Sequence, residues 1–430
     1  MKSLFKKIVV GILTFEARLV LSRYHPTVVA VTGSVGKTSA KDAIYTVLSA
    51  SLFVRKSEKS FNSDVGIPLT ILGCPNGWND PIQWIKNIIS GLWLILWKHE
   101  YPKLLILEVG ADRPGDIRKV SQWLKPDVVV LTRFGSVPVH VEYFSSREEL
   151  IEEKKWLVTA LKKSGTLVYN NDDEDVVKIA DSMQQKKLSF GFSSDTDVKS
   201  SYDQVIYEDA LPTGVSFKVE FNNGNSMPVR ILGGLGKQQI YPVLAGLAVA
   251  RAFDINMVSA VEAFAEHHGP RGRMRVMPGI QNSVIIDDTY NSSPVALEEA
   301  LVTLKSLEIK GKKIAVLGDM LELGKYSAEA HRKIGAIVAT CADILIAVGI
   351  RSEFFAEGAR GAGMTDECII RFGDSVDAAE KIVTIVGPGD VALVKGSQST
   401  RMERVSKALM AHPEQAGELL VRQEGEWGKR

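Results

Sequence analysis

The run VVAVTGSVGKTSAKDAI at 28–44 sets glycines at 33 and 36 and a Lys37–Thr38 pair between an apolar stretch and a helical pattern. Gripping a polyphosphate needs those residue types in that order. Gly33 and Gly36 let backbone N–H groups approach phosphate oxygens, and the N-terminus of the following helix adds positive charge. Lys37 neutralises charge, and the Thr38 hydroxyl is suited to Mg²⁺. The strict G-x-x-x-x-G-K-[ST] pattern needs glycine where Val31 stands. The loop running through Gly33, Ser34, Gly36, Lys37, Thr38 and Ser39 is therefore a variant phosphate loop, and it predicts a bound nucleotide.

Magnesium needs further oxygen ligands, and Glu108 closes the apolar run LLILEVG at the mouth of the same predicted sheet. His140, in FGSVPVHVEYF, falls in the loop after the next run and reads either as a surface residue or as a ligand. The segment SSREELIEEKKWLVTALKK is a helix announced by a capping box, Ser146 with Glu149. On a helical wheel Leu150, Ile151, Leu157, Val158 and Leu161 form one apolar arc; Lys154 falls at its centre and Lys155 on its flank. Lys154 reads either as a snorkelling lysine or as an inward amine. Desolvation favours the neutral form of an inward amine, which can add CO₂ to become a carbamate, an oxygen ligand for a metal.

A second group of polar residues comes later: Asp287, Asp288, Tyr290 and Asn291 in DDTYNSSP, Asp319 and Glu322 in GDMLELG, and Lys395, Ser397 and Arg401 in KGSQSTRMERV. Each stands where an apolar run ends, so together they predict a polar wall facing the phosphate site, suited to a reaction that joins two substrates across a cleft.

The elements that must position these residues follow from the alternation of short β-rich runs with helical patterns. TVVAVTG at 27, KLLILEVG at 103, DVVVLT at 127 and GTLVYNND at 165 predict a mainly parallel sheet flanked by helices. GVSFKVEFNNGNSMPVRI predicts a hairpin turning at Gly/Asn. GPRGRMRVMPG at 269 marks a boundary, after which SVIIDDTYNSSP, KKIAVLGDM, ADILIAVG, CIIRFGD and DVALVKGS form a second α/β series whose polar endings line one crevice. The expected division is an N-terminal helix in 1–25, a P-loop ATP-binding central domain at 26–268 and a C-terminal α/β domain at 269–430.

Fifty-two basic residues against fifty-one acidic ones, without long runs of one sign, give no footprint for nucleic-acid binding. The three cysteines, Cys74, Cys341 and Cys368, build neither a disulfide framework nor a four-thiolate zinc site, which fits a reducing cytoplasm. In the preface Leu4, Ile8, Ile12, Phe15 and Leu19 make one apolar helical stripe, with Lys2, Lys6, Lys7, Arg18 and Arg23 available for water or lipid. The helix either packs on its own domain or makes peripheral contact with the inner membrane face. WIKNIISGLWLILWKHEYPK, at 84–103, reads as a buried or membrane-facing helix, too short to span.

These blocks in this order resemble the Mur ligases. The likeness runs from about Thr27 to Leu409 and rests on TGSVGKTSAKDAI, NSDVGIPLTIL, LEVGADRPGDI, KPDVVVLT, VHVEYFSSREELIEEK, YNNDDE, GPRGRMRV, IIDDTYNSSP, VLGDMLELG with His331 following, and LVKGS. Within that family it is similar to the type that adds D-alanyl-D-alanine to the UDP-N-acetylmuramoyl tripeptide. The resemblance implies a Rossmann-like C-terminal domain and an ATP-dependent ligase of peptidoglycan synthesis. ATP phosphorylates a peptide carboxylate, and an amino-acid or dipeptide amine attacks the acyl phosphate, giving an amide, ADP and phosphate. It implies that Thr38 and Glu108 hold one Mg²⁺, that His140 and carbamylated Lys154 hold a second, and that Lys37, His140 and Lys154 are catalytic. The family's spacing from histidine to modified lysine selects Lys154, the choice the wheel makes independently.

The resemblance also assigns Arg273, Asp288 and Asn291 to ATP, and Asp319, Lys395 and Ser397 to the amine substrate. The block that carries an adenine-contacting asparagine in the family reads GKQQIYPVLAG here, with Gln238, Gln239 and Pro242 in the sensitive positions, where glutamine can replace the amide contacts. The chain departs from the D-alanyl-D-alanine-adding pattern in two other ways. Only about 26 residues precede the first strand, where a UDP-binding domain is expected, and no arginine directly follows KGS. Two further readings compete: a polyglutamate-forming ligase of the same superfamily, and a non-catalytic ATP-binding scaffold at the membrane. The oligomeric state stays open.

Overall fold

A computed structural model of the protein describes residues 2–58, 61–134, 144, 146–222, 224–424 and 427. The first sheet has nine strands: β1 (Thr27–Thr32), β2 (Val54–Lys56), β3 (Leu104–Glu108), β4 (Val128–Leu131), β5 (Thr166–Asn170), β6 (Lys186–Gly191), β7 (Val198–Glu208), β8 (Leu211–Phe221) and β9 (Ser226–Leu232). Their order is β2-β3-β1-β4-β5-β6-β7-β8-β9, parallel as far as β7 and antiparallel through β8 and β9. The second sheet contains β10 (Arg275–Pro278), β11 (Val284–Asp288), β12 (Lys313–Gly318), β13 (Ile344–Val348), β14 (Ile369–Phe372) and β15 (Val391–Lys395). It runs β10-β11-β15-β12-β13-β14, and only β10 is antiparallel to its neighbour.

Alternation along β1 shows why the first sheet is covered on both faces. Val29 and Val31 point into one core, with Ile44, Val47 and Leu48 of the helix Lys37–Ser49 and Leu244 and Leu247 of the helix Lys237–Ala252. Val28 and Ala30 point into another, with Leu13, Ala17 and Val20 of the helix Lys2–Tyr24, Ile67 and Leu69 of the helix Gly66–Leu72, and Leu157 and Val158 of the helix Arg147–Thr159. Strands buried on both faces read as continuous apolar runs, which β1, β3 and β4 do. The first core continues into the second sheet through Ile286 and Leu317 and through Leu301 of the helix Pro294–Ser306, so the two sheets share apolar packing.

Four of the five runs expected in the second series and all four in the first became strands at the sheet's parallel heart, and the fifth, at 369–372, became its edge. The hairpin also formed, with Phe221 N donating to Asn225 O. Strands β2, β6, β7 and β10 were not anticipated. The first two are short or begin with lysines, and β7 falls in a stretch too polar to read as a strand.

Candidate active site

Strand β1 lies between β3 and β4; the chain leaves β1 for β2 on one side and leaves β3 for β4 on the other, so a crevice opens beyond the carboxyl ends of β1 and its neighbours. The phosphate loop turns there. Gly33 and Gly36 have φ of 141° and 86°, and a Cβ at Gly33 would fall 1.9 Å from Thr132 Oγ1 at the end of β4. Only glycine permits that backbone at that approach. Ser34 N and Val35 N both donate to Arg133 O, at 2.8 and 3.0 Å, which pins the loop to the strand beside it. The Lys37 amine curls back to Gly33 O at 2.9 Å and Ser34 O at 3.3 Å, so it is held in the mouth of the loop. Burial lowers its pKa, opposed by Glu108 and Asp112.

Glu108 ends β3 beside the loop. Its Oε1 accepts from Thr38 Oγ1 at 3.2 Å and from Asn62 Nδ2 at 3.5 Å. Its buried Oε2 has no hydrogen bond and lies 3.8 Å from Lys41 Nζ. A buried carboxylate oxygen without a donor, next to a threonine hydroxyl, has the chemistry of a divalent-cation ligand pair.

Lys154 is 3% exposed, and no described residue hydrogen-bonds or ion-pairs with its amine. Its direction is set locally. Ser146 Oγ accepts from Glu149 N at 3.2 Å and fixes the helix start. Next to Lys154, Glu153 accepts from Gly115 N, Ile117 N and Arg118 N at 2.9, 2.7 and 3.2 Å. Lys155, in contrast, pairs with Glu152 at 3.2 Å on the outside. Burial first and the Lys37 charge second push the Lys154 pKa well down, toward the neutral amine. His140 lies outside the described residues, and among those residues no three His, Cys, Asp or Glu side chains group as a metal site.

The second sheet supplies the facing wall. The Lys395 amine donates to Asp288 Oδ2 at 2.6 Å and to Asn291 O at 2.9 Å, while Asp288 Oδ1 accepts from Met274 N at 3.1 Å. The Arg273 guanidinium stacks over the Tyr290 ring, 4.3 Å from its centre. One cavity of about 570 Å³ is lined by Ser34 to Ala40, Glu108 and Lys154 on one side and by Arg273, Asp288, Asn291 and Lys395 on the other. An adjoining cavity of about 390 Å³ is lined by Ser397, Gln398, Glu322, Arg401 and Trp427.

Two of the expected residues are placed elsewhere. Gln239 is buried and spends its amide on Arg273 O at 2.7 Å, so it holds the segment carrying Arg273, whereas Gln238 and Pro242 from the same block do line the cavity. The Asp319 carboxylate lines neither cavity, because Arg351 N and Nη1 occupy its oxygens at 3.0 and 3.3 Å. His331, from the quoted blocks, supports this region: Met320 N donates to its Nε2 at 3.0 Å and its Nδ1 faces Ser327 O at 2.6 Å.

Other residues of the site escaped the sequence reading. Lys41 stands one helical turn beyond Lys37, a spacing that would have signalled it. Asp112 and Asn62 lie inside quoted blocks. Arg133, just after β4, and Glu299, on the helix Pro294–Ser306, pair at 2.6 Å and carried no signal in the chain order. Arg133 also stacks on Tyr241 at 4.5 Å.

Residues 31–250 match the Mur ligase middle domain, and residues 272–398 match the Mur ligase, glutamate ligase domain. The chain belongs to the Mur ligase family. As a Mur ligase it is an ATP-dependent enzyme that forms a C–N bond in peptidoglycan precursor synthesis. It is 29% identical over 402 residues to the UDP-N-acetylmuramoyl-tripeptide–D-alanyl-D-alanine ligase of Bacillus subtilis, covering 92% of this chain and 79% of that relative. The Mycobacterium leprae protein of the same name is 27% identical, over 89% of this chain and 73% of its own length. Among solved structures, MurF ligase from Thermotoga maritima in complex with ADP aligns with a TM-score of 0.75 at 29% identity, covering 93% of this chain and 83% of that one. MurF from Acinetobacter baumannii gives the same TM-score at 22% identity over 93% and 79% of the two chains, a likeness of fold.

Proposed function

We propose that this Mur ligase joins D-alanyl-D-alanine, or a closely similar amine, to the terminal carboxylate of a muramoyl peptide. The observation that supports it most is the cleft, where the phosphate loop and Lys154 on one sheet face Arg273, Asp288 and Lys395 on the other. The likeness to relatives of that name points to the substrates.

The chemical problem is that a carboxylate must approach the γ-phosphate of ATP although both are anions. Lys37 in the loop mouth and Arg273 on the facing wall bring positive charge to that approach. Thr38 and Glu108 fit one Mg²⁺, as the donorless Glu108 oxygen suggests; His140 and Lys154 are the proposed holders of a second. When bound, these cations screen the two anions from each other and stabilise charge on the transferring phosphoryl group. The neutral Lys154 amine adds CO₂ and releases a proton, which turns a lysine that no described residue pairs with into a carbamate anion.

The substrate carboxylate oxygen then attacks the γ-phosphorus and ADP departs. The amine nitrogen attacks the resulting acyl phosphate carbon, a tetrahedral intermediate collapses, phosphate leaves and the nitrogen loses its proton. Lys395 and Ser397 are the proposed contacts of the amine substrate, and Asp319 supports that pocket through its backbone carbonyl, which accepts from Ser397 N at 3.1 Å. Water must be kept from the acyl phosphate, so the two units, dividing near residue 269, close before it forms. The enzyme works in the cytoplasm at the inner membrane face, where the muramoyl peptide is presented to it as a lipid-linked precursor.

Purified protein with ATP, Mg²⁺, D-alanyl-D-alanine and either the UDP-linked or the lipid-linked muramoyl tripeptide tests this, with phosphate release and product mass as readouts. Phosphate release that needs both carboxylate and amine, with the expected amide by mass, supports ligation. Release without either substrate overturns it, and efficient use of the soluble UDP form alone overturns lipid presentation.

A further inference from the structure

The helix Lys2–Tyr24 has two apolar faces. Val9, Leu13, Ala17 and Val20 are buried against the first sheet, whereas Ile8, Ile12, Phe15 and Leu19, the stripe picked out by the sequence, face outward, with Phe15 60% exposed. Its neighbour, the helix Pro81–Leu96, is built inside out. Its buried residues are Asn87 and Gly91, and its outer face carries Ile82, Ile85, Ile89, Leu92, Trp93 and Leu96, with Ile85 and Ile89 more than half exposed at 56% and 58%. Those outward positions recur at three and four residues, so each helix presents a continuous apolar ridge.

The two ridges belong to one surface because the helices are locked together. Tyr24 Oη donates to Leu94 O at 3.0 Å and accepts from His99 N at 3.1 Å. A Cβ at Gly91 would fall 2.2 Å from Glu16 Oε2, so the helices approach to glycine distance there. Apolar side chains concentrated this way on an otherwise charged protein mark a contact surface.

The charges around it select the partner. Lys6, Lys7, Arg18, Arg23, Lys86 and Lys98 are exposed on or just beyond the two helices, against Asp80 and Glu100 at the ends of the second. The whole chain balances 52 basic with 51 acidic residues, so this local excess is a departure. Trp93 and Trp97 stack at 4.2 Å beside this basic fringe, and tryptophans favour the headgroup level of a bilayer. No described helix is long and apolar enough to cross a membrane.

We propose that the outer face of these paired helices lies in the headgroup region of an anionic lipid bilayer, apolar ridges in the acyl boundary and lysines and arginines at the phosphates. The proposal deepens the position at the membrane given above and rests on that reading only for which leaflet is meant. It tethers the ligase fold to the surface that holds lipid-linked substrates.

The full-length protein is sedimented with vesicles of phosphatidylglycerol mixed with phosphatidylcholine, and with phosphatidylcholine alone. Binding to the anionic vesicles is expected, with a blue shift of tryptophan fluorescence. Neutral vesicles or a Lys6→Glu/Lys7→Glu variant should bind at least about thirtyfold more weakly. The variant Phe15→Ser/Ile89→Ser/Trp93→Ser, changed only at exposed positions, should lose vesicle binding while its circular dichroism and ATP binding stay at wild-type values. Absence of binding to anionic vesicles overturns the proposal, as does retention of binding by the triple variant. So does a dimer in analytical ultracentrifugation that the triple variant dissolves, because a second copy would then cover the face. Ligation measured with soluble substrates separates this failure from failure of the ligase reading.

Discussion

Glu153 and Lys154 are consecutive buried residues of one helix, and the first is anchored where the second has no partner among the described residues. The Glu153 carboxylate takes three backbone N–H groups from 115–118, and the Lys154 amine, one residue on, ends in the cleft. Glu153 thereby sets the rotation of the helix. Glu153→Ala should lower kcat for ligation about tenfold or more, since small misplacements at a reacting centre are costly, while the Kd for ATP changes little. Glu153→Gln, which keeps an acceptor, should recover part of that loss. Equal falls for both variants in ATP binding would mean general unfolding rather than positioning.

Lys37 and Lys154 differ in what they touch, and their variants should part accordingly. Lys37→Ala removes the amine from the loop mouth and should abolish ATP binding in calorimetry. Lys154→Ala should bind ATP but not ligate, and short carboxylic acids should restore turnover by replacing the carbamate. Full activity of Lys154→Ala without additive would exclude the carbamate.

The Asp288–Lys395 pair is buried on both sides, at 2.6 Å. Removing one partner leaves a charge in low dielectric, so Lys395→Met and Asp288→Asn should each cost about 3–5 kcal/mol in urea denaturation. The double variant should cost less than the sum of the two, with a coupling of about 1–3 kcal/mol. Additive losses would show that the two groups do not depend on each other.

Much of this site was readable before any fold was known, because the phosphate loop and strand-end carboxylates carry their chemistry in local spacing. The Lys154 choice worked for the same reason: a helix has one period, and the arc through Leu150, Leu157 and Val158 fixes which lysine turns inward. What was missed depends on tertiary approach. The Arg133–Glu299 pair joins residues 166 positions apart in the chain, and no local pattern announces it. Gln239 and Asp319 were assigned by likeness of position, but neighbours the chain order does not reveal, the Arg273 carbonyl and Arg351, take up their polar atoms. The outward stripe of the first helix was recognised as apolar, yet its direction depended on a second apolar face that packs better on the sheet.

Glu16 makes a pH prediction. It is 2% exposed between the two paired helices with neither oxygen hydrogen-bonded, and burial raises its pKa from 4.5 to about 7. The folded protein therefore keeps this proton where the unfolded chain releases it. Stability from this group is fully present below pH 4.5 and is lost as pH rises through 7. Glu16→Gln should gain about 2 kcal/mol or more in chemical denaturation at pH 8.5 and almost nothing at pH 4. An equal gain at both pH values would contradict an ionised Glu16 in the native state.

The Arg133–Glu299 bridge has a consequence for the solution in which the enzyme is assayed. Arg133 holds the phosphate loop through its carbonyl and reaches the opposite unit through its guanidinium, and both charged groups are partly open to solvent. Dissolved electrolyte weakens such a link, and the Debye length falls from about 10 Å at 0.1 M to about 3 Å at 1 M. Ionic strength thus acts as a dial on how tightly nucleotide gripping is geared to the approach of the far wall, and turnover should slacken in concentrated brine before the loop itself lets go.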